Sequence, residues 1–93
     1  MKIDISFIPK DYLNNSLINL SNKEITNPYK SIEKLKSDKK ALRRFYEQRS
    51  NYLRLILQLT RLEEELWLKH EYTLSKKCKE YVNNLEKRFK LLN

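Results

Sequence analysis

The sequence predicts an all-α protein: one long coiled-coil or bundle helix, preceded by a short helix and an extended N-terminus. Three observations lead there. The chain has no Gly and two prolines, Pro9 and Pro28, so nothing after Pro28 breaks a helix by composition. Leu, Lys, Glu and Arg, all good helix formers, dominate that stretch. Its apolar residues recur at alternating steps of three and four, the spacing of a heptad seam. At 93 residues the chain holds at most one domain, with an N-terminal part over residues 1–27 and the long amphipathic segment over 28–93.

Residues 2–8, Lys-Ile-Asp-Ile-Ser-Phe-Ile, alternate polar and apolar, an extended signature that puts Ile3, Ile5 and Phe7 on one face. Pro9 stops regular pairing there. A short helix is expected within residues 11–20, with Asp11 as N-cap and Leu13, Leu17 and Leu20 on one side. Residues 21–27 read as a polar connector. Asn27-Pro28 is a start signal for the long helix, because Pro at the first helical position loses no intrahelical bond.

In the long segment one stripe runs Leu42, Phe45, Arg49, Tyr52, Ile56, Leu59, Glu63, Leu66. A second runs Trp67, Glu71, Leu74, Cys78, Tyr81, Leu85, Arg88, Leu92. The seam slips by one position near Trp67, since Leu66 and Leu74 are eight residues apart where a heptad needs seven. A kink or break is therefore expected around residues 69–75. Over residues 52–59 the apolar positions spread across roughly 220° of arc at 100° per residue, too wide for a two-stranded seam. This part is expected to be surrounded by other helices, supplied by partner chains unless the chain folds back. A continuous rod of roughly 60 residues would be about 90 Å long and would have almost no core of its own. Alone, such a chain should be oligomeric or only partly folded. The expected partner-binding residues are Tyr52, Leu55, Ile56, Leu59, Leu62, Leu66, Trp67, Leu74, Tyr81 and Leu85, with Trp67 as a bundle anchor.

Features of catalysis are not found. His70 is the sole histidine, and no second histidine or cysteine stands at metal-ligand spacing. Glu63, Glu64 and Glu65 are consecutive, so they point around a helix and do not converge. A chain without Gly has no glycine-rich phosphate loop. No cofactor, metal or small-molecule substrate is expected, and the chain reads as a binding protein rather than an enzyme. No segment approaches the roughly 18 apolar residues of a membrane span, and the N-terminus lacks the pattern of a signal peptide. Cys78, the one cysteine, suits a buried stripe and a reducing compartment.

The formal net charge is +8, and residues 1–28 sum to zero, so the excess lies in the long segment. Its densest cluster is Lys34, Lys36, Lys39, Lys40, Arg43 and Arg44, with Asp38 the sole acid among them. Such a cluster is either a solvated helix face or a phosphate-neutralising one. Lys36, Lys39, Lys40, Arg43 and Arg44 are the candidate nucleic-acid contacts under a second reading, that of a small basic nucleic-acid-binding protein. Aromatic residues are not interleaved with them as in a stacking platform.

Gln48-Arg49-x-Asn51, followed by Arg61, Glu64 and Trp67 and then Val82 and Leu85-Glu86, resembles the C-terminal coiled-coil helix of the splicing factor twenty-seven family. That family, also called breast carcinoma amplified sequence two, supplies a subunit of the spliceosome's nineteen complex. Phe7-Ile8-Pro9-Lys10-Asp11-Tyr12 is similar to its N-terminal hallmark of an aromatic, Ile, two variable positions, an acid and Tyr. Here Pro9 stands where the family has Asp, Ile5-Ser6 replaces its Leu-Pro, and its middle region is missing, which would make this a miniature member. The resemblance implies a non-catalytic scaffold in the nucleus, acting in pre-mRNA splicing by packing its long helix against coiled coils of other subunits. The same physical features fit a coiled-coil subunit of another assembly, in the nucleus or the cytoplasm.

Overall fold

The structure, a computed structural model, describes residues 3–29 and 32–92. It is all-α, with three α-helices and no strand among the described residues: α1 (Asn15–Ser21), α2 (Lys39–Leu68) and α3 (Tyr72–Leu92). Short 3-10 turns at Lys10–Tyr12 and Glu33–Leu35 precede α1 and α2.

The long segment is a hairpin. α2 ends where the seam slips, at Lys69 and His70, and α3 runs back antiparallel to it. Two contacts fix the register: the Tyr52 and Phe89 rings meet edge to face at 4.8 Å, and Ser75 Oγ donates to the Glu63 carbonyl at 3.0 Å. The turn satisfies the orphan carbonyls of α2 in the Schellman pattern. Glu71 N–H reaches the Leu66 carbonyl at 2.9 Å, and His70 N–H reaches that of Trp67 at 3.1 Å. This geometry needs a residue in the left-handed region, normally Gly. In a chain without Gly the position falls to His70, at φ 64°. The break expected around residues 69–75 is thus a full reversal.

α2 begins at Lys39, eleven residues later than Pro28 suggests. Pro28 and Tyr29 lie in a turn, in which the Asn27 side chain accepts from the Tyr29 N–H at 2.8 Å. The helix starts where Asp38 caps it, accepting from the N–H groups of Lys40 and Ala41 at 3.1 and 3.2 Å. α1 likewise starts later than Asp11. Pro9 leads into the Lys10–Tyr12 turn, and the cap is Asn14, whose side-chain oxygen accepts from Leu17 N–H at 2.7 Å.

The chain supplies its own core. Tyr52, Leu55, Leu59, Leu62 and Leu66 of α2 pack with Cys78, Leu85 and Phe89 of α3, and with Ile3, Ile5, Ile8, Leu17, Leu20 and Ile25 of the N-terminal part. That part is a strap. It lies along α3, where Tyr81 Oη donates to the Asp4 carbonyl at 2.6 Å and the Phe7 and Tyr81 rings approach to 4.9 Å. It reaches the hairpin tip, where Lys69 sits 5.4 Å over the Tyr12 ring, and returns beside α2 as α1. Asn27 Nδ2 then donates to the Phe89 carbonyl at 2.6 Å, satisfying one of the free carbonyls in the last turn of α3. Ile3 and Ile5 are buried and Phe7 half-buried, as the alternation predicts, but the segment turns at residues 6–8 and pairs with no strand. The molecule measures 50 × 27 × 18 Å, a folded hairpin and not a rod of about 90 Å.

Candidate interaction surface

Most of the residues expected to bind partners are covered by this chain itself. Tyr52, Leu55, Leu59, Leu62, Leu66 and Leu85 are buried, and Ile56, Leu74 and Tyr81 are partly buried against the same core. The wide apolar arc over residues 52–59 is enclosed on its inner side by α3, the strap and α1. The fold-back that the sequence left open is realised, so these nine residues form core and not an open seam. Trp67 differs: it is 60% exposed, at the hairpin tip.

The outward face of α2 carries what the inward face does not. Tyr46, Leu53, Leu57, Trp67 and Leu68 are all exposed. With Ser50, Thr60 and Glu64 the first four of these complete a second series, Tyr46, Ser50, Leu53, Leu57, Thr60, Glu64, Trp67, in steps of four and three. These positions lie within about 100° of arc at 100° per residue, nearly opposite the buried stripe. Regular alternation of four and three is what a straight seam for a second helix requires. At its tip end Trp67 meets Tyr72 edge to face at 4.6 Å, and His70 Nδ1 shares a hydrogen bond with Tyr72 Oη at 2.6 Å. A cleft of about 330 Å³ opens there between Glu63, Glu64, Trp67, Leu68 and Ser75. Tyr46, Leu68 and Tyr72 were not singled out from the sequence. Leu53 and Leu57 belonged to the wide arc, but the second four-three series through them is the signal that would have separated them from the core.

Two buried ionisable groups, Cys78 and Tyr52, are held in their neutral forms by burial. Burial, with Glu63 nearby, pushes the Cys78 thiol up to about 11, away from the reactive thiolate. Burial raises the Tyr52 hydroxyl to about 12, with Glu86 and Tyr29 adding to the effect, and that hydroxyl has no hydrogen-bond partner among the described residues. No group of three or more His, Cys, Asp or Glu could hold a metal ion among the described residues. No described helix is long and apolar enough to cross a membrane.

Lys34, Lys36, Lys39, Lys40, Arg43 and Arg44 are all exposed, around and just beyond the start of α2. Among the described residues none of the six forms an ion pair; the one such pair links Lys69 and Glu65 at 2.8 Å. Of the residues that carry the family resemblance, Arg61, Glu64 and Trp67 are exposed on α2, while Leu85 is buried in α3. No family model, curated protein or solved structure matches the chain.

Proposed function

We propose that this protein is a non-catalytic helical scaffold subunit whose outward α2 face receives a helix from a different chain. The observation that carries the reading is the second heptad series, in which Tyr46, Leu53, Leu57, Glu64 and Trp67 are exposed and Ser50 and Thr60 half-buried, on a helix whose other face is already packed. A seam of this length has room for about three heptads of a partner helix, roughly 30 Å.

Charge favours a different chain over a second copy. In a parallel pair of α2 helices Arg49 would face Arg54 of the copy. In an antiparallel pair centred between Leu57 and Thr60, Arg54 would face Arg61. Like charges across a seam oppose pairing, and each copy brings a formal +8. A partner with neutral or acidic residues at those flanks meets no such penalty.

The resemblance to the splicing factor twenty-seven family supports placing this scaffold in a nineteen-complex-like assembly of the nucleus, in pre-mRNA splicing. Arg61, Glu64 and Trp67, three of the residues that carry it, stand at or beside the outward seam. Mass spectrometry of proteins that co-purify with the tagged chain from its native source tests the assignment. Coiled-coil subunits of a splicing assembly are expected. Coiled-coil partners from an unrelated assembly would overturn the splicing placement, and no helical partner at all would overturn the scaffold reading.

A further inference from the structure

We infer that one side of α2, with the cleft it forms against α1, is a track for the phosphodiester backbone of a nucleic acid. Between Ile32 and Arg61 nine basic residues stand against three acidic ones, +6 of the chain's formal +8. Lys39, Lys40, Arg43 and Arg44 are all exposed in the first two turns of α2. That placement works against the helix. The N-terminal end of a helix carries positive partial charge, which disfavours cations there. Lys39 with Arg43, and Lys40 with Arg44, are like-charge pairs at i,i+4, which oppose helix formation. Apart from the capping Asp38 the helix brings no acid to its first two turns, and Glu47 is the next one along. Local sequence that opposes its own element, without compensation in the fold, marks a functional surface.

A second, separate feature extends the cluster. Arg43, Arg54 and Arg61 are eleven and seven residues apart, so they fall on one line along α2 within about 20° of arc. Arg54 opens onto a cleft of about 360 Å³ between α1 and α2, shared with Lys23, Ser16, Asn19 and Gln58. Two cations with hydroxyl and amide donors are the groups that meet phosphate and sugar oxygens. From Lys39 to Arg61 the line is about 33 Å long, roughly ten backbone steps at 3.4 Å per strand. No aromatic lines the cleft, so the cleft meets backbone charge and not stacked bases. It borders the apolar seam, whose Leu57 also lines the cleft, and it is tested on the chain with no helix docked there.

The test is fluorescence anisotropy of the full chain with RNA and DNA, single-stranded and duplex, in probes of about sixteen nucleotides, longer than the track's roughly ten steps. Salt is varied from about 50 to 200 mM, the range over which phosphate contacts weaken steeply. Two variants remove the track, Lys39→Gln/Lys40→Gln/Arg43→Gln/Arg44→Gln and Lys23→Gln/Arg54→Gln. A third, Lys76→Gln/Lys77→Gln/Lys79→Gln, removes exposed charge from α3. Binding indifferent to base sequence is expected, and the RNA and DNA arms show which backbone is preferred. Each track variant should weaken binding about tenfold or more and flatten the salt slope by about 0.7–0.9 for every phosphate no longer neutralised. The α3 variant should change affinity by less than about twofold, and it and Lys23→Gln/Arg54→Gln should keep the parent unfolding midpoint, since exposed charges contribute little to stability; the quadruple variant should unfold at the parent midpoint or above it, because it removes both like-charge pairs. Absence of binding at the lowest salt overturns the inference. So does an α3 variant that loses as much as the track variants, or polyglutamate binding as tightly as the oligonucleotides. None of these outcomes depends on whether a helix docks on the outward seam.

Discussion

His70 sits in the left-handed region at φ 64° because the α2–α3 reversal needs such a residue and the chain has no Gly to supply it. A side chain there costs roughly 1–2 kcal/mol relative to right-handed backbone, and Gly avoids the clash with Cβ. His70→Gly should therefore raise the urea midpoint, by an amount equivalent to about 1 kcal/mol, less whatever the exposed bond to Tyr72 contributes. His70→Val should lower it, because a β-branched residue tolerates positive φ worst. Tyr52 gives an opposite kind of residue-scale expectation. Its buried hydroxyl lacks a partner among the described residues, so Tyr52→Phe should be neutral or stabilising by about 1 kcal/mol in thermal melts. Cys78 sets a pH dependence. Its thiol ionises at 9.0 when free and at about 11 in the fold. Between those values the unfolded chain loses a proton that the folded chain keeps. Stability is then fully present below pH 9 and falls as pH rises towards 11. Cys78→Ala should flatten that part of a melting-temperature profile. Cys78 as a buried stripe residue was legible in the sequence; the left-handed His70 was not, since periodicity carries no φ information.

Among the elements, the hairpin was foreshadowed by one irregularity. A step of eight from Leu66 to Leu74 cannot continue one heptad seam, and the structure answers with a reversal at Lys69–His70. What hid the reversal was the absence of Gly and Pro, the residues by which turns are usually recognised. The start of α2 is hidden in the sequence for the converse reason. Asn27-Pro28 looks like a helix start, whereas Asp38 among lysines draws no notice until its carboxylate is seen accepting two backbone N–H groups. The two faces of α2 make unequal demands on stability. Leu59→Ala removes a fully buried side chain and should cost roughly 2–5 kcal/mol. Leu53→Ala, on the half-exposed outward face, should stay within about 0.5 kcal/mol. Chemical denaturation of the two variants separates core from docking surface.

At the scale of the whole molecule, the rod became a folded hairpin because residues 3–29 cover the groove between α2 and α3. Ile3, Ile5, Ile8, Leu17, Leu20 and Ile25 join the core from the strap. The apolar faces of Ile3 with Ile5 and of Leu17 with Leu20 are readable in the sequence; Ile8 and Ile25 are not, Ile25 being buried within a stretch that reads as a polar connector. The destination of the strap, up to 77 positions away in the contact of Asp4 with Tyr81, depends on long-range packing that no local periodicity encodes. The same covering explains why the inner residues named from the sequence are core, while the candidate docking face lies on the other side of α2. On the proposed function, partners are held by this outward seam. The most direct test is capture of native partners by tagged wild-type chain, by Leu53→Asp/Leu57→Asp and by Leu59→Ala, quantified beside each protein's unfolding midpoint. The seam variant should lose its partners at an unchanged midpoint, while Leu59→Ala should melt earlier yet still capture them at temperatures where it is folded. Undiminished capture by the seam variant, with its fold intact, would mean that partners are held elsewhere.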